Sequence, residues 1–316
     1  MQSDHLIVTV SAIRQLASQV HLFELQPVDG HSLPAYEPGA HIDISLAAGL
    51  ARQYSLVAPY QAGQPYLIAV KRAVQSRGGS HFMHDTLRVG QQVHIQAPRN
   101  NFALHADAGH SVLIAGGIGI TPVWCMAQAL ERSGRSWEMH YAVRTRGDAA
   151  FLPELQALGG RARLHVDDES GGPLDIQAIE SAAPQDSHFY CCGPAPMLDA
   201  FEQACAARSA HQVHLERFGP VELAAGKEQA LLVRLARSGK ELQVDPQTSI
   251  LDALLNAGID VPNSCQAGVC GACETRVLSG IPDHRDQILT ERERSANQVM
   301  MVCCSRSLSD SLTLDL

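Results

Sequence analysis

The sequence has few basic residues for its length. Its 316 residues include 24 Lys and Arg against 33 Asp and Glu, which gives a formal net charge of -9 at pH 7. Proteins that bind the phosphate backbone of DNA or RNA normally carry an excess or a patch of positive charge. The charge balance therefore disfavours a general nucleic-acid-binding function.

The sequence also lacks the features of secreted and membrane-spanning chains. Its first ten residues contain an acid, Asp4, but neither the basic segment nor the small-residue cleavage site of a secretory signal. The stretch from Ser111 to Leu130 has no charged residue, but three glycines and Pro122 interrupt it. We therefore expect a cytoplasmic protein without a membrane span, and nothing in the sequence requires more than a monomer.

Three regions with different patterns of apolar and polar residues follow one another, and the sequence contains no internal repeat. Residues 1–105 combine alternating segments, such as His41 to Leu46, with Gly- and Pro-rich turns, which predicts an antiparallel β-barrel. In residues 106–220, continuous apolar strands alternate with helices, which predicts a doubly wound α/β domain. Residues 221–229 are a predicted linker, and residues 230–316 form a third domain with two strands around Ser238-Gly239 and a short helix.

The strongest signal is the spacing of the cysteines. Five of the nine cysteines lie in the last 52 residues, where Cys265, Cys270 and Cys273 are followed 29 intervening residues later by Cys303. C-x4-C-x2-C with a distant fourth Cys is the plant-type ferredoxin pattern for a [2Fe-2S] cluster. The small residues of the loop let backbone N–H groups approach the sulfurs and offset their charge.

Three alternatives to this assignment follow from the sequence. A structural zinc site usually has two short C-x2-4-C knuckles, and only one is present. Cys304 competes with Cys303 as the fourth ligand; if both lie on a strand, their side chains face opposite ways, and the spacing favours Cys303. Cys304 is then expected to be a small buried side chain. Rieske-type ligation through His284 needs Cys-x-His pairs, which the sequence does not contain.

A glycine-rich turn, Gly116-Gly117-Ile118-Gly119, lies between a predicted buried strand and a helix. Such a turn lets a diphosphate approach backbone N–H groups at a helix N-terminus, although tight packing alone also explains it. The turn Cys192-Gly193-Pro194 ends another apolar strand. Ligands of open α/β sheets bind at strand carboxyl ends, so this turn either borders the same crevice or simply ends a strand with buried thiols.

Residues of the predicted barrel supply donors for a phosphate and a flat face for an aromatic ring. Guanidinium, ammonium and hydroxyl groups together with a Gly-Gly turn are complementary to a phosphate, although surface cations and ordinary turns have the same composition. The candidate residues are Arg52, Gln53, Tyr54, Ser55, Lys71, Arg77, Gly78, Gly79 and Ser80.

Taken in order, the motifs R-x-Y-S, GGSxxxH, GGIGITP, CCGP and C-x4-C-x2-C…C resemble those of the phthalate dioxygenase reductase family. These are FMN- and ferredoxin-containing reductases of Rieske-type aromatic-ring oxygenases, and the resemblance covers essentially the whole chain. It implies that the barrel binds FMN, that the α/β domain binds NAD(H), and that the last domain is an α+β ferredoxin-like (β-grasp) domain with the [2Fe-2S] cluster.

The resemblance also implies roles for particular residues. Thr121 is expected near the flavin ring, Phe218 against the ring where nicotinamide enters, and Cys192 in the dinucleotide crevice; these are the predicted catalytic-site residues. The implied FMN contacts are Arg52, Gln53, Ala69, Val70, Lys71, Gly78, Gly79 and Ser80. The implied dinucleotide contacts are Gly116, Gly117, Gly119, Cys192, Gly193 and Pro194. The family often has Gly before the Arg-Gly-Gly-Ser turn, where this chain has Ser76.

The expected activity follows from electron counting. A nicotinamide gives up two electrons together, an iron–sulfur cluster accepts one, and a flavin can do both. We expect an NADH-dependent reductase that passes electrons through FMN and [2Fe-2S] to a separate terminal oxygenase acting on an aromatic compound such as an aromatic carboxylate. A reductase for another acceptor and a non-catalytic redox sensor that binds NADH are the alternatives.

The nicotinamide preference and the docking surface rest on weaker signals. Arg144 and Arg146 could recognise a 2′-phosphate and Asp148 a free ribose hydroxyl, while the resemblance favours NADH. The loop from Gln266 to Val269 and the side chain of Arg306 are the predicted docking features.

Overall fold

The computed structural model describes residues 5–28, 32–46, 51–74, 76, 78–218, 229–263, 265–286 and 288–316. The chain divides into two compact units, Met1–Arg217 and Phe218–Leu316. None of the helices in these described ranges is both long enough and apolar enough to cross a membrane.

The first unit begins with a six-stranded antiparallel sheet in the order β4-β3-β6-β1-β2-β5. An antiparallel bridge between Leu56 and Ile68 links its two end strands, so the sheet closes into the predicted barrel. The strands are β1 His5–Ala17, β2 Val20–Pro27, β3 His41–Ser45, β4 Ala51–Ser55, β5 Tyr66–Lys71 and β6 Gln92–Gln96. A short helix, α1 Gly79–His81, continues as a π-helical turn over Phe82–Thr86.

Strand β3 differs from the predicted alternation of buried and exposed residues. Ile42 and Ile44 face the barrel core, but Asp43 on the opposite face is also buried. Arg99 forms an ion pair with Asp43, and the backbones of Arg99 and His41 are hydrogen-bonded to each other. The chain after β6 therefore covers the outer face of β3, which makes polar residues of that face interior.

A five-stranded parallel sheet in the order β11-β10-β7-β8-β9 completes the first unit. The chain enters at the central strand, extends to one side and then crosses over, so the strand order reverses between β7 and β10, where open α/β sheets bind ligands. The strands are β7 His110–Gly116, β8 Trp137–Val143, β9 Ala162–Val166, β10 Ser187–Cys192 and β11 Val213–Glu216. The helices are α2 Ile120–Arg132, α3 Leu152–Ala157, α4 Asp167–Ser170, α5 Ile176–Ala182 and α6 Ala195–Ala204.

The barrel and the parallel sheet share one hydrophobic core. Leu22 and Ala69 of the barrel belong to the same buried cluster as Trp124 of α2 and Met139 and Tyr141 of β8. Burial of apolar surface is the main favourable contribution to folding, so this cluster joins the two regions into one compact unit.

The second unit is a mixed sheet in the order β13-β12-β18-β14-β16, in which β12 and β18 are parallel and the other pairs antiparallel. Helix α7 packs against this sheet, as the predicted β-grasp fold requires. The strands are β12 Leu231–Leu235, β13 Glu241–Val244, β14 Glu274–Ser279, β15 Pro282–Asp283, β16 Val299–Met301, β17 Arg306–Ser307 and β18 Ser311–Leu314; the helices are α7 Ile250–Asn256 and α8 Glu291–Ala296. Residues 219–228, which include most of the predicted linker, lie outside the described ranges.

Candidate functional site

The four predicted ligand cysteines meet at one end of the second unit. Cys265 and Cys270 lie in the loop after α7, Cys273 precedes β14, and Cys303 follows β16. All four are buried, with at most 8% of the residue surface exposed. The antiparallel pairing of β14 with β16 brings Cys303 to the loop despite its distance in sequence.

Backbone amides of the loop point at the sulfurs, as the small residues predicted. Cys265 Sγ accepts hydrogen bonds from the N–H groups of Ala267 at 3.3 Å and Val269 at 3.5 Å, and Cys270 Sγ from that of Ala272 at 3.4 Å. Gly268 and Gly271 have φ of +72° and +76°, which few other residues adopt without strain. The loop is thus shaped to stabilise negatively charged sulfur.

The four thiols are neighbours of one another. Cys265 interacts with Cys270 and Cys303, and Cys303 also interacts with Cys273. The fold therefore brings Cys303 to the three cysteines of the loop, as the plant-type ferredoxin spacing requires.

Hydrogen bonds also set the protonation of the first cysteine. Hydrogen bonds from Cys270 and then Cys303, and next those from the amides of Val269 and Ala267, lower the pKa of the Cys265 thiol, against the effect of its burial. Cysteine binds iron and zinc as thiolate, so the loop favours the ligand form of this side chain. The residues present therefore fit a [2Fe-2S] cluster.

Cys303 and Cys304 lie in a turn after β16, so the premise that both are on a strand is wrong. Cys303 interacts with the other predicted ligands Cys265 and Cys273, and its side chain also lies against that of Cys304. Cys304 Sγ is 2.6 Å from the position of a Cβ on Gly268 and 3.7 Å from the carbonyl oxygen of Met301. Cys304 is half-buried rather than fully buried.

Arg306 is not an exposed docking residue, and that expectation is wrong. Its guanidinium donates to the carbonyls of Thr248 at 2.7 Å, Gln229 at 2.7 Å and Asp245 at 3.3 Å, and the residue is buried. Arg306 therefore holds three segments of the second unit together. Within the predicted docking loop, Gln266 is partly exposed, with a positive φ of +51°.

In the first unit, Arg52 lies directly against the Gly-Gly turn. A Cβ on Gly79 would be 2.6 Å from Arg52 Cγ, so a larger residue there would require the Arg52 side chain to move. Gly78 has φ of +92° and precedes α1, whose first N–H groups are available to an anion. The structure thus brings a cation and a backbone turn together, as a phosphate site requires. Arg77, predicted to contribute, lies outside the described residues.

Ser76 has a definite place in this turn. Its hydroxyl accepts hydrogen bonds from the Gly78 N–H and from the Ser80 hydroxyl, both at 3.1 Å. Ser80 Oγ in turn accepts from the N–H of Ala73 at 3.1 Å. The departure from the family pattern therefore adds hydrogen bonds that stabilise the turn from within.

The other predicted FMN residues lie on two strands. On β4, alternation places Arg52 and Tyr54 on one face and Gln53 and Ser55 on the other. Gln53 Nε2 is 3.3 Å from His41 Nε2, away from the Gly-Gly turn. Strand β5, which carries the predicted contacts Ala69, Val70 and Lys71, lies against the 3-10 turn Gly117–Gly119 of the α/β region. The predicted flavin contacts of β5 and the predicted dinucleotide contacts Gly117 and Gly119 therefore lie on neighbouring elements.

The glycines at the carboxyl ends of β7 and β10 serve two purposes. A Cβ on Gly119 would be 2.1 Å from the Cys192 carbonyl oxygen, and one on Gly116 would be 2.6 Å from Pro194. A Cβ on Gly193 would be 2.6 Å from Met197 Sδ. These three glycines allow close packing. In contrast, Gly117 has φ of +53° and no described atom within 4 Å of its Cβ position, so its surroundings are open to a ligand.

Thr121 and Cys192 are both buried beside this turn. Thr121 Oγ1 donates to the carbonyl of Ile118 at 3.0 Å. Burial raises the pKa of the Cys192 thiol well above its usual range, and the charge of Glu216 raises it further. Cys192 is therefore a neutral thiol that shapes the crevice, not a thiolate nucleophile.

Glu216 is a site residue that the sequence reasoning missed. It ends β11 opposite Cys192 in the parallel register, and its Oε2 is buried without a hydrogen-bond partner in the described part of the chain. Burial raises the pKa of its carboxyl group to about 8. The available signal was an acid at the end of a short strand, directly after Leu215 and two residues before Phe218.

The remaining predicted residues have local partners or lie in the other unit. Asp148 accepts hydrogen bonds from the backbone and side chain of Thr145, and Arg146 forms a two-bond ion pair with Glu169. Both are thus engaged in local structure. Phe218 is 47% exposed at the start of the second unit.

Family models match the α/β region of the first unit and most of the second unit. Residues 113–203 match the oxidoreductase NAD-binding domain, and residues 233–308 match the 2Fe-2S iron-sulfur cluster binding domain. The chain is 48% identical over 307 residues to the phenoxybenzoate dioxygenase subunit beta of Ectopseudomonas oleovorans, covering 97% of this chain and 96% of that protein. It is 45% identical over 315 residues to the tetrachlorobenzoquinone reductase of Sphingobium chlorophenolicum, covering 98% and 97%.

A solved structure of phthalate dioxygenase reductase has 35% sequence identity and a TM-score of 0.79, with 99% of this chain and 98% of that chain covered. The chain belongs to the phthalate dioxygenase reductase family. It is an NADH-dependent iron–sulfur flavoprotein oxidoreductase with FMN and a [2Fe-2S] cluster as cofactors, so the expected family, fold, activity and cofactors are confirmed.

Proposed function

We propose that this member of the phthalate dioxygenase reductase family delivers electrons from NADH to a separate Rieske-type oxygenase that acts on an aromatic compound such as an aromatic carboxylate. The single observation that carries the proposal is a complete plant-type cysteine set on a chain similar over nearly its full length to a dioxygenase subunit. We also propose a cytoplasmic, monomeric reductase. The domain boundaries 1–105, 106–220, 221–229 and 230–316 stay predictions.

FMN, when bound, accepts a hydride equivalent from NADH and gives electrons singly to the cluster. For the flavin phosphate, Arg52 and the Gly78–Gly79 backbone are the proposed holders, with Ser76 and Ser80 stabilising the turn. Thr121 and Cys192 are buried beside the turn of Gly117, whose surroundings are open to the dinucleotide. Phe218 and the remaining predicted contacts keep their proposed roles.

We propose that the Glu216 side chain is protonated at pH 7. It then adds no negative charge at the point where β10 and β11 end. A carboxylate there would place a buried negative charge beside the Cys192 thiol. A protonated carboxyl group can donate a hydrogen bond into the crevice, and the carboxamide oxygen of the nicotinamide can accept it. This role concerns orientation of the dinucleotide.

The test mixes the holoprotein with a purified Rieske-type oxygenase of an aromatic carboxylate and follows NADH oxidation and hydroxylated product. We expect product formation that depends on the reductase and stops in Cys273→Ser, because that variant lacks a cluster ligand. A higher kcat/KM for NADPH than for NADH would contradict the nicotinamide assignment.

Direct quinone reduction is a second candidate, because one relative, 45% identical, is named a tetrachlorobenzoquinone reductase. Quinones accept electrons directly from reduced flavins, so this activity would survive in Cys273→Ser. If tetrachlorobenzoquinone is reduced rapidly while no Rieske oxygenase accepts electrons, the second candidate replaces the first.

A further inference from the structure

A cluster of histidines lies at the amino end of the parallel sheet, opposite the crevice. His188 is the second residue of β10 and His214 the second residue of β11, whereas Cys192 and Glu216 end those strands. His105 and Asp107 come from the connection between β6 and β7. None of these residues belongs to the proposed electron-transfer sites.

Three of these side chains are close enough to share a metal ion. One ligand atom each from His105, Asp107 and His188 lie within 4.8 Å of one another, and His105 Nδ1 is 4.0 Å from Asp107 Oδ1. Ligand atoms bound at 2.0–2.1 Å around a tetrahedral zinc ion are about 3.4 Å apart. His105 and Asp107 are exposed, so small side-chain movements can close the remaining gap.

Neighbouring groups already orient both imidazoles. His188 Nδ1 is 3.1 Å from His214 Nε2, the kind of hydrogen bond that fixes the ring of a metal-ligating histidine. The N–H of His105 donates to the Tyr190 hydroxyl at 3.0 Å, and the His105 ring stacks on His214 at 4.4 Å. Arg135 donates to the carbonyl of His105 at 2.9 Å. The connection is thereby held against the sheet edge.

We propose that His105, Asp107 and His188 bind one divalent transition-metal ion of the zinc class. Two imidazoles and a carboxylate suit zinc, and three protein ligands leave a fourth position for water. The ion would connect the β6–β7 segment to β10 and so stabilise the first unit. Its three ligands belong neither to the cysteine set nor to the proposed flavin and dinucleotide contacts.

The test titrates ZnCl2 into the holoprotein, whose cysteines are occupied by the cluster, after passage over a chelating resin. Isothermal calorimetry at pH 7.5 should give one ion per chain, and Tm should rise with zinc because the ion binds only the folded state. His105→Gln and Asp107→Asn, both at exposed positions, should each weaken zinc binding by at least about tenfold and abolish the Tm increase.

His94→Gln is the matched control, because it removes an exposed histidine of β6 outside the cluster. It should bind zinc as the unaltered protein does. Loss of affinity in both cluster variants but not in the control supports the site. Absence of stoichiometric zinc binding, or equal affinity in all four proteins, overturns it.

Discussion

The cysteine loop and the nucleotide crevice place their functional groups by different means. Three of the four cluster ligands fall within nine consecutive residues, and amides of the same loop surround their sulfurs. The crevice instead takes residues from β5, β7, β10 and β11, which only the folded sheets bring together. The first site is therefore encoded mainly in local spacing and the second in long-range packing.

Glycine shows the same contrast on a smaller scale. Gly268 adopts a positive φ and leaves room for Cys304 Sγ, so it permits the turn of the loop itself. Gly119 has an ordinary helical φ and is needed only because the backbone of Cys192 passes close by. The same residue type thus has a local cause in one region and a remote cause in the other.

The largest expected effect tests the local site. Replacing Cys273 by Ser should lower NADH-dependent cytochrome c reduction by more than about 100-fold, since losing a ligand costs more than losing an outer partner. Ferricyanide reduction, which reduced flavin supports directly, should stay near its original rate. Absorption spectra would report the missing cluster.

Cys304→Ser is the control for this experiment, since Cys304 lies next to Cys303 but is outside the predicted ligand set, with its Sγ against Met301 and Gly268. It should keep the visible spectrum of the cluster. If Cys304→Ser loses that spectrum and Cys303→Ser retains it, the ligand assignment is wrong.

Two alanine variants test the remote role of glycine in the crevice. Gly119→Ala should lower the free energy of unfolding by about 3 kcal/mol, because its Cβ would meet backbone atoms that cannot move independently. Gly117→Ala should cost only about 1 kcal/mol, from its positive φ. Urea denaturation of both variants measures the difference, and equal losses would contradict the packing argument.

Glu216→Gln tests the buried carboxyl through the pH dependence of stability. Its folded-state pKa, about 8, lies above the ordinary value of 4.5, so its contribution to stability declines as pH rises between those values. Relative to the unaltered protein, the variant should gain about 2 kcal/mol between pH 5.5 and 7.5. Denaturation at both pH values measures this gain, and parallel pH profiles would show that the carboxyl ionises normally.

The smallest effect is expected at Ser76, where the family often has Gly. Ser76→Gly removes the acceptor of two hydrogen bonds in the Gly-Gly turn, each worth about 1 kcal/mol at most near the surface. FMN release should become severalfold faster, which flavin fluorescence measures. Unchanged or slower release would mean that the turn does not depend on Ser76.

The sequence was sufficient where neighbours along the chain decide the outcome. Cysteine spacing identified the cluster site, and apolar runs identified β7, β8 and β10. The sequence was insufficient where a distant segment determines the environment of a residue. The burial of Arg306, for example, depends on the carbonyls of Gln229, Asp245 and Thr248. For the same reason, the position of Glu216 beside Cys192 depends on the pairing of β10 with β11.

The core common to the barrel and the parallel sheet restricts how this protein can be dissected. A fragment ending before β7 would expose Leu22 and Ala69, together with Val20 and Val57, to water. Such a fragment would have an exposed hydrophobic patch and should therefore aggregate on expression. Chimeric reductases that exchange nicotinamide specificity should therefore be assembled by grafting short loops, with the whole of residues 1–217 kept from one parent.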